Sequence, residues 1–198
     1  MPDDAGVVGT SGVAAAAHTL AGAFFNDPMW SWVFDDAEHR FEQYTRLWSL
    51  FLEAAVGYGW VRRAPNTAAV ALWIPPGLPE VPEPHAARIE PLVAELLGDR
   101  AALLGEIFDR FEAEHPHDEP HFYLSFLGTD PEQRGRGVGM QLLRTTLAEI
   151  DAARQPAYLE STNPRNVPRY ESVGFRVVGE FQLPGYGPMV TRMWRPAP

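Results

Sequence analysis

At 198 residues, with 45% hydrophobic and 21% charged residues and a formal net charge of −10, the chain has the make-up of one soluble globular domain with a substantial core. The acidic balance argues against nucleic acid as a partner, and no apolar run is long enough to span a membrane. Zero cysteines exclude a disulfide framework and a thiol nucleophile. The opening residues lack the basic segment of an export signal, so the expected compartment is cytoplasmic. The negative surplus suits solubility first, and a cationic small molecule as partner second.

Residues 1–11 carry little periodicity and read as a frayed end or a weak first strand at Val7-Val8. From Val13 to Phe25, alanines with Leu20, Phe24 and Phe25 form an amphipathic helix that stops at Asn26-Asp27-Pro28, where proline breaks the pattern. A second helix spans Ala37 to Ala55, with Phe41, Tyr44, Trp48, Phe51 and Ala55 on one face. Trp60 to Arg63 and Ala69 to Ile74 read as a hairpin around an Ala-Pro-Asn-Thr turn. Six prolines within residues 75–91 mark an irregular loop that serves as a lid, a dimer contact or neither. Helical stretches follow at Pro91–Leu97 and Arg100–Glu114, then a polar segment in which His115 and His117 read as solvated, without metal-ligand spacing. Beyond lie a β-prone run from Phe122 to Leu127, a glycine-rich loop, and a helix with Leu142, Leu143, Leu147 and Ile150 at helical spacing. A short strand Pro156–Ser161, a helical turn ending at Gly174-Phe175, and strands Arg176–Gln182 and Met189–Trp194 complete the chain. With no internal repeat, the order fits a single α/β domain over residues 1–198, built around a mixed sheet.

The segment Arg134-Gly135-Arg136-Gly137-Val138-Gly139 joins a strand to a helix. Glycines there permit a sharp turn and a close approach of bare N–H groups to a ligand. The first turn of the following helix offers free amides and a partial positive charge, which together suit a phosphate. A P-loop requires lysine after its last glycine, and the chain contains no lysine. A dinucleotide fingerprint requires G-x-G-x-x-G, whereas Gly135, Gly137 and Gly139 are separated by single residues.

Arg134-x-x-Gly137-x-Gly139, directly after a strand and opening a helix, resembles the acetyl-CoA-binding motif Q/R-x-x-G-x-G/A of the GNAT superfamily of N-acetyltransferases. A second block resembles the same superfamily: Leu159-Glu160-Ser161, then Asn163, then Tyr170 and Gly174-Phe175. The stretches FYLSFLGTDPEQRGRGVG, LESTNPRNVPRYESVGF and AGAFFNDP are similar, without gaps, to the puromycin N-acetyltransferase branch. The resemblance runs from about Leu20 onward. Residues 1–12 give poor material for the family's first strand. The implied fold is a mixed, mostly antiparallel sheet flanked by helices, with the fourth and fifth strands splayed.

The resemblance implies acetyl-CoA as donor, no metal, and direct acetyl transfer to an amine without an acyl-enzyme. The absence of G-x-S-x-G agrees. Amides from Arg134 through Gly135, Arg136, Gly137, Val138 and Gly139 to Met140 would anchor the pyrophosphate. Backbone groups of Leu127, Gly128 and Thr129 would meet the pantetheine, with the Leu127 N–H polarising the thioester carbonyl. Asn163 and Asn166 would contact the pantetheine arm, although capping a helical turn explains Asn163 more simply. Tyr170 would be the general acid for the departing thiolate, or a helix tyrosine packed beside Phe175. Glu160 would accept the amine proton, bind a cationic acceptor, or stand in solvent at a strand end. Asp27 is a second anionic candidate for the acceptor pocket, though Asn-Asp-Pro is also turn chemistry. Trp30, Trp73, Phe126 and Tyr186 are candidate aromatic walls, with core packing the commoner fate of such side chains.

Three functions follow: acetylation of a small amine (an antibiotic or a metabolite), acetylation of a protein or peptide amine, and a non-catalytic acyl-CoA-binding module. An open acidic groove would mark the second and a closed aromatic pocket the first, while an intact Tyr170 and Glu160 weigh against the third. A monomer and a homodimer are equally compatible with the sequence.

Overall fold

A computed structural model describes residues 6–198. Of the expectation for the N-terminus, residues 1–5 lie outside the described part, and Gly6–Val7 form the first strand, β1. Helices α1 (Val13–Phe24), α2 (Pro28–Val33) and α3 (Arg40–Ala55) follow, then strands β2 (Val61–Arg63) and β3 (Ala69–Ile74). Two further helices, α4 (Ile89–Leu97) and α5 (Ala101–Glu114), precede the central unit of β4 (Phe122–Thr129), α6 (Val138–Ala152) and β5 (Ala157–Ser161). The short α7 (Val167–Glu171) and strands β6 (Arg176–Gln182) and β7 (Met189–Arg195) close the chain. No helix among the described residues is long and apolar enough to cross a membrane.

Among the described residues seven strands form one sheet in the order β1-β2-β3-β4-β5-β7-β6, in which only β4 and β5 run parallel. That pair is parallel because α6 carries the chain back across the sheet between them, whereas neighbours joined by short turns run antiparallel. β3 is covered on both faces. All six of its residues are buried, with Val70, Leu72 and Ile74 facing the α1 and α3 side and Ala69, Ala71 and Trp73 facing the α6 side. A strand covered on both faces reads as an unbroken apolar run.

Three departures from the sequence reading have a clear local reason. Pro28 ends nothing. It occupies the first turn of α2, where its missing N–H costs no hydrogen bond, and Asp27 caps that helix by accepting from the Met29 and Trp30 amides at 3.0 and 3.2 Å. The second long helix starts at Arg40 and not at Ala37, because the Asp36 side chain accepts from the Glu38 and His39 amides and forms a turn there. Pro91 lies inside the first turn of α4, which therefore begins two residues earlier, at Ile89.

The feature that positions the site is a break in the sheet beside β4. Leu72 faces Phe126 but Trp73 faces Leu124, so Ser125 is an extra residue, a bulge. Along its other edge β4 pairs with β5 only at Phe122–Ala157 and Tyr123–Tyr158. Past Tyr123 the two parallel strands part. The Asp130 amide donates to the Ala68 carbonyl at 3.0 Å, so by alternation the backbone groups of Leu127 and Thr129 point away from β3, into the gap.

Candidate active site

The glycine loop sits at the end of β4. Gly135 and Gly137 have φ of 78° and 75°, in the left-handed region that other residues enter only with strain. Gly137 is the N-cap of α6 and supplies no side-chain acceptor. The first helical bond runs from the Gln141 amide to the Gly137 carbonyl at 2.9 Å, which leaves the amides of Val138, Gly139 and Met140 without helical partners. A Cβ on Gly139 would lie 2.2 Å from Thr129 Oγ1, so only glycine lets the first turn of α6 approach the strand end this closely. Arg134 holds the loop to α1, its Nη2 donating to the Ala23 carbonyl at 2.7 Å. Arg136 donates to Gln133 Oε1 at 3.1 Å.

Inside the gap lies a cavity of about 740 Å³. Leu127, Glu160, Thr162, Asn166 and Tyr170 line it near the strand ends, and Asp27, Trp30 and Phe126 line its wall toward α2. Asp27 joins the two sides: its second carboxylate oxygen accepts from Thr162 Oγ1 at 2.8 Å. Burial pushes its acidity toward a higher pKa against the pull of these donors. Tyr170 packs edge-on against Phe175 with ring centroids 6.1 Å apart. Its phenol is pushed up to about 12 by burial and then by the nearby Asp27 charge, so it stays protonated at neutral pH. Asn163 uses its side chain locally, accepting from the Arg165 amide at 3.1 Å. Asn166 accepts from Arg169 at 2.9 Å.

Glu160 is not in solvent. Its side chain is 1% exposed, and neither carboxylate oxygen has a hydrogen-bond partner among the described residues. The phenols of Tyr123 and Tyr158 lie close enough that burial and then the Glu160 charge raise both well above the ordinary tyrosine range. His115 also departs from the solvated reading. It is 22% exposed, with Nδ1 3.6 Å from Glu160 Oε1, because the segment after α5 folds back over the start of β4. His117 does stand largely in solvent, at 65% exposure.

Glu80 is a site residue that the sequence reading missed. It comes from the proline-rich loop, lines the cavity, and accepts a hydrogen bond from Ser125 Oγ. Burial, aided by the Glu160 charge, pushes its carboxyl up to about 7 against the lowering effect of Ser125. The only sequence signal is an acidic residue set among Leu78, Pro79, Val81 and Pro82. Of the candidates for the acceptor pocket, two do not line the cavity. Trp73 faces α6, fully buried, with Nε1 donating to Thr146 Oγ1 at 3.2 Å. Tyr186 is 96% exposed in the β6–β7 turn.

A glycine loop against a helix N-terminus, a splay between two parallel strands and a cavity behind it define an α/β acyl-transferase architecture. A model of the acetyltransferase (GNAT) family matches residues 23–175, and the chain belongs to that family of acetyltransferases. An uncharacterised N-acetyltransferase of Schizosaccharomyces pombe is 26% identical over 170 residues, covering 81% of this chain and 69% of its own. Among solved structures, a Corynebacterium glutamicum protein described as histone acetyltransferase HPA2 and related acetyltransferase superposes with a TM-score of 0.73. It shares 24% identity and is matched over 100% of this chain and 98% of its own. Arylalkylamine N-acetyltransferase 2 of Aedes aegypti superposes with a TM-score of 0.60 at 12% identity, over 98% of this chain and 99% of its own. At these identities the two structures attest to the fold. Enzymes of the family take acetyl-CoA as donor and amines as acceptors.

Proposed function

We propose that this acetyltransferase transfers the acetyl group of acetyl-CoA directly to the amine of a small cationic molecule. The observation that carries the reading is the chemistry of the cavity. Its lining contains six carboxylates, among them Glu160, whose oxygens accept no hydrogen bond from the described residues, and no arginine, which favours a cation over an anion. Phe24, Trp30, Phe51, Phe108 and Phe126 wall it on several sides, a shape suited to a compact acceptor and not to an extended peptide. The similarity to the puromycin branch nominates puromycin as one acceptor to try, with the cytoplasm as the working compartment.

Bound acetyl-CoA would supply the activated acetyl group and a thiolate leaving group. The amides from Gly135 to Met140 would hold its pyrophosphate, Arg134 keeping the loop in place against α1, and Asn166 would line the path of its pantetheine arm. The Leu127 N–H points into the splay, where it would donate to the carbonyl oxygen as negative charge builds there. Glu160 would take the proton of the incoming ammonium, and Asp27, Trp30 and Phe126 would shape the wall around the acceptor.

Tyr170 would face the departing sulfur. With its phenol at about 12 and a thiol near ~8.5, complete proton transfer is uphill by roughly 5 kcal/mol. Tyr170 therefore acts mainly as a hydrogen-bond donor to the thiolate, and the sulfur gains its proton finally from water. Tyr170→Phe should lower kcat by about 10²-fold, the usual effect of removing one such donor, with acetyl-CoA affinity unchanged. Thiol-release assays and titration calorimetry on the variant check both halves. Wild-type kcat in Tyr170→Phe would remove the residue from the chemistry.

A further inference from the structure

If Glu160 receives the acceptor's proton, that proton needs a way out. A carboxylate 1% exposed has no direct path to water once an acceptor fills the cavity. His115, at the C-terminal end of α5, bridges the two environments, being 22% exposed with Nδ1 3.6 Å from Glu160 Oε1.

The tautomer of the neutral His115 ring is set by a chain of contacts. His121 Nδ1 lies 2.7 Å from the Glu119 carbonyl, which can only accept, so Nδ1 carries the hydrogen. Burial holds the His121 pKa below its ordinary value, so the ring is neutral at pH 7 and Nε2 is a lone pair. That Nε2 lies 3.1 Å from His115 Nε2, which must therefore be the donor. The remaining nitrogen of neutral His115, Nδ1, is then a base aimed at Glu160. Edge contacts to Tyr123 and Tyr158, at centroid distances of 4.9 and 5.1 Å, hold the ring in this attitude.

Building on the reading of Glu160 as the group that meets the acceptor, we propose that His115 is its proton outlet. His115 takes over the proton that Glu160 removes from the acceptor ammonium and passes it to solvent, while His121 fixes the tautomer that makes the transfer possible. The steps balance without a further reactant. An ammonium N–H bond breaks and a Glu160 O–H bond forms. The O–H bond breaks as His115 Nδ1–H forms, and the imidazolium loses that proton to water. The second amine proton, lost as the C–N bond forms, passes to water, and the thiolate takes its proton from water in turn. The 3.6 Å separation is closed by a small side-chain movement or one water molecule, since catalytic hydrogen bonds tighten on substrate binding. His115 acts through Glu160 and is a positioning residue for it.

The surrounding groups leave this role to His115. From β5 it faces Glu160 and Tyr158, and from β4 and its approach it faces Tyr123 and His121. Both phenols remain neutral. Glu80, on the proline-rich loop, is engaged by Ser125 Oγ, from which it accepts a hydrogen bond. His117 lies beside it with ring centroids 5.8 Å apart, in solvent. Arg192, opposite Glu160 on β7, is engaged by Glu114 at 3.0 Å and does not compete for the carboxylate.

Nitrogen-15 NMR of the histidine rings in the wild-type enzyme reads the tautomers without any substrate. The expected result is Nδ1–H for His121 and Nε2–H for neutral His115; the opposite tautomer at either ring overturns the proposal. Thiol-release kinetics across pH then compare wild type with His115→Gln. A fall in kcat of at least about tenfold, the low end for assisted proton transfer, is expected, with the KM for acetyl-CoA unchanged, an altered pH profile, and partial recovery on adding imidazole. Unaltered kcat and pH profile in an active enzyme overturn the outlet alone, and so does a loss accompanied by failed acetyl-CoA binding, which marks a structural role. If wild type releases no thiol with any amine, the acceptor reading itself fails, and the outlet with it.

Discussion

Gly139 owes its identity to Thr129. An added Cβ would stand 2.2 Å from Thr129 Oγ1, so Gly139→Ala should destabilise the fold by about 1–3 kcal/mol, as overpacking does, and weaken acetyl-CoA binding by shifting the first turn of α6. The double variant Gly139→Ala, Thr129→Ala should recover most of the stability, because the two residues are in contact and their effects are not additive. Denaturant melts of both variants check this, and equal losses in the single and double variants would contradict it. Glu80 gives a second prediction, whose sign follows from its raised pKa. A carboxyl at about 7 in the fold, against 4.5 when free, binds its proton more tightly folded than unfolded. Its contribution is therefore favourable below pH 4.5 and is lost as pH rises through about 7. Glu80→Gln keeps an acceptor for Ser125 and removes the buried charge. The variant should melt higher than wild type at pH 8, and the difference should shrink toward pH 5.

At the scale of elements, the corner between α1 and α2 ties the fold to the site. Asp27 caps α2 with one oxygen and holds Thr162, just before α7, with the other. Asp27→Ala should cost about 0.5–2 kcal/mol through the cap alone. It should also lower kcat, since α7 carries Tyr170 and would lose its tie to α2. Asp27→Asn retains an acceptor for the cap and should lose much less stability, which thermal melts of the pair would show. The same corner explains what could be read from sequence and what could not. Periodicity located α1, α3, α5 and α6, because each buries one apolar stripe. The strand-loop-helix unit around Gly135, Gly137 and Gly139 was legible because its constraints are local, down to two positive φ values. The helix α2 was hidden because Asp-Pro is at once a stop signal and a cap-and-first-turn signal. Glu80 was hidden for a different reason: its partner Ser125 is 45 residues away, and no local pattern announces such a pairing. His115 looked solvated for the same reason, since Glu160 and His121 reach it only through the folding of β5 and the approach to β4. Trp73 and Tyr186 show the converse, because an aromatic residue type does not disclose which face of a strand, or which turn, it occupies.

At the scale of the molecule, a net charge of −10 and a carboxylate-lined cavity should draw a cationic acceptor by long-range attraction. Raising ionic strength from about 0.01 to 0.15 M shortens the screening length from about 30 to about 8 Å. Over that range kcat/KM for a cationic amine should fall severalfold, whereas an uncharged amine of similar size should be little affected; equal salt dependence for both would remove the electrostatic argument. The central claim is that the glycine loop, the strand splay and the acidic cavity together form one acetyl-transfer site for a small amine. The most direct measurement is steady-state thiol release from acetyl-CoA across a panel of small cationic amines that includes puromycin, with an N-terminal peptide as comparison. The account predicts amine-dependent thiol release with at least one small cationic acceptor and little with the peptide. Acetyl-CoA binding without thiol release for any amine, or turnover confined to the peptide, would contradict it.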